Sequence, residues 1–297
     1  MRAVDADPLV NSPATVGAAL ARGAATLAAA GVASARVDAE WLLAAVLDVP
    51  RGRLLTDPDR ALDADITARY ARALERRATR EPLQHILGSQ AFRDIVVRVG
   101  PEAMVPRPET EALVEWALAL LPGVLSPVVV DVGAGSGCIA CAIAAERPAA
   151  RVVALEISPA AAALARANAA ALGLEARVTV VESDLFAALG GLRADLIVAN
   201  PPYLPSAVIE TLPPEVSRFD PRLSLDGGAD GLDVIRRLVT GARARLAAAG
   251  ALVIETAGGA QASAAAALLR EAGFADVATR ADLAGVERFV AGVEREP

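Results

Sequence analysis

Residues 196–205, LIVANPPYLP, end an apolar strand pattern on a polar and rigid corner. The apolar residues up to Ala199 favour a buried strand, and Asn200, Pro201, Pro202 and Tyr203 then interrupt it. The two prolines fix φ twice and remove two N–H donors, which leaves carbonyl oxygens as the main hydrogen-bonding groups. A buried Asn without a partner is costly, so the corner favours a binding role over a turn that only terminates a strand.

A glycine-rich stretch, DVGAGSGCIA, follows the apolar run VVVDV and precedes a helical pattern. Its spacing is G-x-G-x-G, whereas the dinucleotide fingerprint needs a glycine at position 138, where this sequence has Cys. The spacing is similar to the first motif of class I S-adenosylmethionine methyltransferases. We therefore expect this loop to contact S-adenosylmethionine through residues 133–137, namely Gly133, Ala134, Gly135, Ser136 and Gly137.

Carboxylates follow two further strand patterns. Glu156 ends the second strand pattern, where it can accept hydrogen bonds from both ribose hydroxyls of an adenosine. Asp184 follows the third strand pattern and is placed to meet the adenine amino group. An acid at a strand end is often only a turn residue or a helix cap. The recurrence of functional residue types at three successive strand ends favours adenosine binding.

The corner at Asn200 would then lie beside the cofactor and could hold a planar amino group. The Asn200 side-chain carbonyl and the Pro201 backbone carbonyl could each accept one N–H bond, which would orient the nitrogen and stabilise the positive charge it gains. Pro202 would stiffen the corner, and Tyr203 would cover the face of the group. A strong general base is not required, because the methylated nitrogen is acidic enough to release its proton to solvent.

The secondary structure predicted around these residues is helical in the first part of the chain and alternates between strands and helices in the second part. Three helical patterns precede Gly88, which is a plausible C-cap, and four arginines of the third helix, Arg69, Arg72, Arg76 and Arg77, are interpreted as a solvated face or a docking surface. From residue 126 onward, strand and helix patterns alternate, which predicts a doubly wound, largely parallel sheet. We therefore predict a helical bundle at 1–88, a hairpin and proline-rich linker at 89–108, and a catalytic domain at 109–297.

Composition and charge weigh against several classes of protein. All 29 basic residues are Arg, against 36 acidic residues, for a net charge of -7, which disfavours broad nucleic-acid binding. The start, MRAVDADPLVNSP, lacks a secretory pattern, and runs of about 18 uncharged apolar residues are absent, so we expect a cytoplasmic monomer without membrane contact. Cys138 and Cys141 are interpreted as buried helix residues, and the only His is His85, so we expect no metal site.

The chain resembles the peptide chain release factor N5-glutamine methyltransferase family (PrmC, also called HemK) over nearly its whole length. Its blocks occur in that family's order: DAEWLL, RRATREPLQHILG, MVPRPETEALVEWAL, VVDVGAGSGCIACAIA, ESDLF, IVANPPYLP and DPRLSLDGGADGLDVIRRL. The resemblance implies an α/β fold: a class I S-adenosylmethionine-dependent methyltransferase domain, Rossmann-like with a mostly parallel seven-stranded sheet, and a small N-terminal helical bundle domain.

The resemblance also implies the substrate, which is the glutamine of the Gly-Gly-Gln loop of class I release factors, with the N-terminal bundle docking the factor. Residues 133–137, Glu156, Leu185 and Asn200 would contact the cofactor, and Asn200 to Tyr203 the glutamine. Arg107 and Glu109 of PRPET would border the site.

Three positions depart from that family's pattern. His85 stands where Tyr is usual, and Leu185 stands where Trp is frequent. The stretch ETAGGAQ carries one residue more than the usual E-x-G-x-x-Q, so the sequence leaves the role of Gln261 open.

Other functions share the same corner. The tetrapeptide N-P-P-Y also occurs in methyltransferases of DNA adenine and ribosomal RNA guanine, but the acidic charge and an aromatic content of 3% weigh against them. A glutamine methyltransferase acting on a ribosomal protein stays open as an alternative, as does a non-enzymatic adenosine-binding module.

Overall fold

A computed structural model of the protein describes residues 15–121 and 123–294. The chain divides into two compact units, one up to Leu87 and one from Gly88 onward. Residues 1–14 lie outside the described residues. Two predictions depend on them, namely that the chain starts without a secretory segment and that the helical bundle begins at residue 1.

The N-terminal unit is built from helices. Its bounds are α1 (Val16–Ala29), α2 (Ala35–Leu47), α3 (Arg53–Thr56), α4 (Ala64–Ala78) and α5 (Leu83–Leu87). Thr15 and Asp63 start α1 and α4, because each side chain accepts a hydrogen bond from a backbone N–H of the first turn. Gly88 follows α5 with a positive φ of 74°, as the C-cap interpretation predicts. The core is closed by the apolar faces of these helices, including Leu20, Leu27, Leu42, Leu43 and Tyr70.

One arginine of α4 differs from the predicted solvated face. Arg69, Arg72 and Arg76 are exposed, but Arg77 is buried and pairs with Asp38 of α2, at 2.8 Å from Nε to Oδ2. Arg77 follows Tyr70 by two helical turns and therefore shares the inward face of α4. The interpretation of Arg77 as a solvated residue was therefore wrong, and the ion pair joins two helices of the bundle.

A β-hairpin opens the C-terminal unit. Strands β1 (Ser89–Phe92) and β2 (Ile95–Arg98) pair antiparallel, and α6 (Pro108–Leu120) follows. Phe92, Ile95 and Val97 are buried in the same core cluster as α6 residues Leu113 and Val114. The hairpin expected within the linker is thus present, and its apolar side chains pack with the C-terminal unit.

A seven-stranded sheet forms the centre of this unit. Its strands are β3 (Val128–Val132), β4 (Arg151–Glu156), β5 (Val178–Glu182), β6 (Ala194–Ala199), β7 (Leu246–Glu255), β8 (Ala275–Ala281) and β9 (Glu287–Val293). The order is β5-β4-β3-β6-β7-β9-β8, and only β9 runs antiparallel to its neighbours β7 and β8. The mostly parallel seven-stranded sheet predicted from the sequence is confirmed.

Helices cover both faces of the sheet. Besides α6, they are α7 (Cys138–Glu146), α8 (Pro159–Ala171), α10 (Asp233–Ala242) and α11 (Ala260–Glu271), whereas the short α9 (Pro214–Ser217) lies in the segment between β6 and α10 and has no buried residue. One core cluster contains α6 and α7 residues, and the other contains α10 and α11 residues. Burial on both faces explains why the central strands are continuous apolar runs rather than alternating ones. Cys138 and Cys141 are unpaired and buried in α7, as the sequence predicts.

The register of the central strands creates one polar edge. Val132 of β3 pairs with Ala199 of β6, which in turn pairs with Ile254 of β7, so these three strands end at the same level. The strand order reverses direction between β3 and β6, which is where doubly wound sheets bind ligands. Among the described residues, we find no helix with the length and apolar character needed to cross a bilayer.

Candidate active site

A cavity of about 210 Å³ lies at this edge of the sheet. Most of the residues predicted from the sequence line it: Gly133, Ala134, Gly135, Ser136, Glu156, Asp184, Leu185, Asn200, Pro201, Pro202 and Arg107. Gly137, Tyr203 and Glu109 are not among its lining residues. The strand ends therefore bring the glycine loop, the carboxylates and the proline corner around one volume.

The glycine loop uses its glycines for two different purposes. Gly133 has a φ of 76°, and a Cβ at this position would meet no atom within 4 Å, so its backbone is open to a ligand. Gly137 has a φ of 78°, and a Cβ there would lie 3.0 Å from the Cβ of Ala165 in α8. Gly133 therefore allows close approach of a ligand, whereas Gly137 allows the loop to pack against α8.

Glu156 is held with both carboxylate oxygens in place. Its Oε2 accepts from the Gly135 N–H and its Oε1 from the Ser158 N–H, each at 2.8 Å. The side chain is buried at 7% exposure but still borders the cavity. Since a carboxylate oxygen can accept two hydrogen bonds, each oxygen retains capacity for one more donor, which suits the two hydroxyls of a ribose.

The turn after β5 places an acid and an apolar residue at the cavity. Asp184 accepts a hydrogen bond from Nη2 of Arg237 at 2.7 Å, and Arg237 on α10 also lines the cavity. Leu185 has a φ of 49°, and its carbonyl accepts from the Ser183 hydroxyl at 2.7 Å. Arg237 was not among the residues predicted from the sequence, although it lies in the block DPRLSLDGGADGLDVIRRL.

Asn200 begins a chain of hydrogen bonds that passes through Thr110, which also lines the cavity, to Glu255, which does not. Its Nδ2 donates to Oγ1 of Thr110 at 3.1 Å, and the Thr110 hydroxyl donates to Oε2 of Glu255 at 2.8 Å. The hydroxyl of Tyr203 donates to the other oxygen of Glu255 at 3.3 Å. One carboxylate is thus connected to both ends of the N-P-P-Y corner.

Thr110 and Glu255 were missed in the sequence, although both had a signal. Thr110 is the last residue of PRPET, from which we selected Arg107 and Glu109, and it faces the sheet from the first turn of α6. Glu255 is the last residue of β7, whose end is level with that of β6. Polar residues at adjacent ends of parallel strands are expected to meet.

Burial decides the ionisation of Glu255. Its side chain is buried, and this desolvation raises its pKa from 4.5 to about 7. The hydrogen bonds from Thr110 and Tyr203 and the charge of Arg288 act in the opposite direction, because they favour the ionised form. The pKa of Tyr203 is raised by burial and by the charge of Glu255, so Tyr203 stays protonated and remains a donor.

A second buried carboxyl lies under the glycine loop. Asp131 is the penultimate residue of β3 and accepts from the Ala140 N–H at 3.0 Å through Oδ2, while its Oδ1 has no hydrogen-bond partner among the described residues. Burial raises the pKa of Asp131 to about 7.

The backbone of the corner is fixed by Gln261, whose role the sequence left open. The Gln261 side-chain NH₂ donates to the Tyr203 carbonyl at 2.8 Å, and its Oε1 accepts from the Ala257 N–H at 2.8 Å. Gly231 packs closely beside them, because a Cβ there would lie 2.2 Å from the Tyr203 carbonyl oxygen. The additional residue in ETAGGAQ therefore does not remove Gln261 from the corner.

The remaining predicted residues lie at different depths. Arg107 lines the cavity and pairs with Asp220 at 2.6 Å, and burial raises the pKa of Asp220. Glu109 is exposed and lies outside the cavity lining. His85 is buried in α5 of the N-terminal unit.

The site fits an adenosine-bearing cofactor on three observations. The backbone at Gly133 is open to close approach, Glu156 has spare acceptor capacity, and Leu185 offers an apolar wall. These features lie on the β3, β4 and β5 side of the cavity, and the proline corner follows β6. The arrangement can hold a cofactor and an amino group side by side.

Family models match both units of the chain. The model of the PrmC N-terminal domain matches residues 18–88, and that of the methyltransferase small domain matches residues 110–211. The T. thermophilus 16S rRNA methyltransferase solved with AdoMet and guanosine has a TM-score of 0.52 at 22% identity, covering 70% of this chain and 50% of that one. The hMettl16 catalytic domain has a TM-score of 0.59 at 16% identity, covering 72% and 81%. At these identities, both show the fold alone.

Curated relatives are much closer in sequence. A release factor glutamine methyltransferase of Geobacter sulfurreducens is 45% identical over 90% of this chain and 92% of its own length. That of Deinococcus radiodurans is 45% identical over 91% and 95%. Both matches extend over the helical unit and the sheet unit. The chain belongs to the release factor glutamine methyltransferase family.

Proposed function

We propose that this protein methylates the side-chain amide nitrogen (N5) of the glutamine in the Gly-Gly-Gln loop of class I peptide chain release factors, with S-adenosylmethionine as methyl donor. The observation that carries the proposal is the Asn200 corner, which lines the same cavity as the glycine loop and Glu156. The names of the curated relatives support release factor glutamine as the substrate.

The cofactor would be held by the glycine loop and the two strand ends beside it. The backbone of residues 133–136 would approach it, Glu156 would accept from its ribose hydroxyls, and Leu185 would contact the adenine. Asp184 would accept from the adenine amino group while keeping its ion pair with Arg237. When bound, S-adenosylmethionine supplies an electrophilic methyl group: the amide nitrogen forms the new N–C bond, the S–C electron pair stays on sulfur, and one N–H proton is released.

The residues of the corner would orient the acceptor rather than activate it chemically. With its NH₂ group bonded to Thr110, Asn200 presents Oδ1 as an acceptor for one N–H of the glutamine amide. The Pro201 carbonyl would accept the second N–H, and both dipoles would stabilise the positive charge on the nitrogen. Pro202 would hold the corner rigid, and Tyr203 would border the amide. The proton would leave to solvent.

The partner and the cellular context belong to the same proposal. We assign docking of the release factor to the N-terminal bundle, which the match to the PrmC N-terminal domain supports. Arg107 would border the entry to the site, and Glu109 would lie beside it. We expect a cytoplasmic monomer that does not bind nucleic acid directly, in keeping with the net charge of -7.

The test is a methyl-transfer assay with labelled S-adenosylmethionine and five acceptors in parallel. They are a class I release factor, its Gln-to-Ala loop variant, ribosomal protein, DNA and RNA. We expect label on the intact release factor and none on the loop variant. Label only on ribosomal protein would identify the alternative glutamine methyltransferase, and label only on nucleic acid would exclude a protein substrate.

A further inference from the structure

The hydrogen bonds from Asn200 through Thr110 to Glu255 all run from donor to acceptor in the same direction. This direction matters because the methyl acceptor of the proposed reaction is itself an NH₂ group. We propose that Thr110 and Glu255 are positioning residues that fix which end of the Asn200 side-chain amide faces the substrate. The proposal rests on the proposed function, since it concerns the acceptor amide of that reaction. Neither residue needs to touch the reacting atoms.

The direction is set by the single proton of the Thr110 hydroxyl. Glu255 is an acceptor when ionised, so the Thr110 hydroxyl directs its proton to Oε2, at 2.8 Å. The lone pairs of Oγ1 are then available on the other side, where Nδ2 of Asn200 donates at 3.1 Å. We call the chain of hydrogen bonds from Asn200 through Thr110 to Glu255 the relay. Because Glu255 accepts a hydrogen bond at one end of the relay, the NH₂ group of Asn200, and not its oxygen, faces Thr110 at the other end.

The opposite orientation of Asn200 would not serve the reaction. If the amide were rotated by 180°, its NH₂ group would face the NH₂ group of the glutamine, and two donors would meet without an acceptor. The Pro201 carbonyl would then hold only one of the two N–H bonds. The relay therefore favours a substrate that presents N–H groups to Asn200. It disfavours a substrate that presents only hydrogen-bond-accepting oxygen or ring nitrogen atoms.

The same carboxylate also anchors the far end of the corner. Tyr203 donates to Oε1 of Glu255 at 3.3 Å, whereas Oε2 is connected to Asn200 only through the Thr110 hydroxyl. The groups that face Glu255 are Thr110 and Glu109 on α6, Tyr203 after β6, and Arg288 on β9. The carboxylate is 1% exposed, which limits competition from water.

A carboxylate in this position is costly for stability. Its pKa in the folded protein, about 7, exceeds the ordinary value of 4.5, so the folded state binds the proton more tightly than the unfolded state. The cost of the buried charge is absent below about pH 4.5 and fully present above about pH 7. The ionised carboxylate of Glu255 therefore lowers the stability of the fold at pH 8, although its two oxygens still accept hydrogen bonds from the hydroxyls of Thr110 and Tyr203.

The first experiment compares variants in the release factor assay. Thr110→Val removes the hydroxyl at nearly constant volume, and Thr110→Ser keeps it. Glu255→Met removes both acceptors, and Glu115→Gln on the exposed side of α6 is the control. We expect kcat to fall about 10- to 100-fold in Thr110→Val and Glu255→Met, with KM for the cofactor within about threefold and Thr110→Ser and Glu115→Gln close to wild type.

Two further measurements separate a relay from a loss of folding. The double variant Thr110→Val with Glu255→Met should lose no more activity than the worse single variant, because both break one relay. A cooperative melting transition of Glu255→Met above the assay temperature at pH 8 would show that its loss of rate is not a loss of folding. Losses that multiply in the double variant would show that the two residues act independently and would overturn the proposal.

The last measurement needs no substrate. In the wild type, the NMR signals of the Asn200 side-chain amide should shift with pH around a midpoint near 7, and this titration should vanish in Glu255→Met. If the wild type shows the titration but does not methylate the release factor, the relay stands and the proposed function falls. If it methylates the release factor but the titration survives in Glu255→Met, the relay falls and the proposed function stands.

Discussion

At the scale of single residues, the site separates groups that face the cavity from groups that hold them. Asn200 belongs to the first kind, because it lines the cavity and points its NH₂ group at Thr110. Gln261 belongs to the second kind, since it binds the backbone carbonyl of Tyr203 and lies outside the cavity lining. Residues that face the cavity, such as Asn200, depend for their orientation on residues that hold the corner rigid, such as Gln261.

Asn200→Ala tests the acceptor role directly. We expect the rate of methyl transfer to fall at least about 100-fold, because the variant loses one of the two oxygens that stabilise charge on the attacked nitrogen. The affinity for S-adenosylmethionine, measured by calorimetry, should stay within a few-fold of wild type, because the glycine loop and Glu156 are untouched. A variant that kept its rate would show that Asn200 does not hold the acceptor.

At the scale of elements, the loop between β3 and α7 has to pack closely against α8. Gly137 combines a positive φ with a close approach to α8, where an added Cβ would lie 3.0 Å from the Ala165 Cβ and 3.2 Å from its Cα. Gly190 also has a positive φ, of 65°, but a Cβ there would meet no atom within 4 Å. The two positions therefore differ in packing and share the backbone strain.

Gly137→Ala and Gly190→Ala form a matched pair on this difference. Both should lose about 1–2 kcal/mol of unfolding free energy from the left-handed conformation. Gly137→Ala should lose more, and should bind S-adenosylmethionine more weakly, because the loop must move away from α8. Denaturant unfolding and calorimetry measure the two effects. Equal losses in both variants, with equal cofactor affinity, would show that the contact with α8 does not set the loop.

At the scale of the whole molecule, the cavity belongs to one of the two units. Every residue that lines the cavity lies between Glu102 and Leu238, within the unit that begins at Gly88. The N-terminal unit has its own core and its own buried ion pair between Arg77 and Asp38. Cofactor binding should therefore depend on the second unit alone, and recognition of the folded release factor on both.

A fragment from Gly88 to the C-terminus tests this division. We expect it to bind S-adenosylmethionine within a few-fold of the full chain. Its rate on an intact release factor should fall at least about tenfold more than its rate on a short peptide containing Gly-Gly-Gln, because the peptide makes no contact with the bundle. Equal rate losses on the two substrates would contradict a docking role for the N-terminal unit.

The sequence by itself determined the features that are written locally. The alternation of strands and helices, the G-x-G-x-G loop and the Asn-Pro-Pro-Tyr corner each occupy a few consecutive residues, and the sheet confirms the predicted fold class. Parallel strands in register then bring their carboxyl ends together, so the prediction that Glu156, Asp184 and Asn200 border one cavity followed from topology.

Only the tertiary structure decided which polar groups bind each other. Thr110 and Glu255 are 145 residues apart in sequence, and their hydrogen bond depends on how α6 packs against the end of β7. The burial of Arg77 likewise required a partner on another helix, since Asp38 is 39 residues away. A local pattern indicates that a side chain points inward, but the group it meets there is set by packing between distant elements, and that packing created the relay behind Asn200.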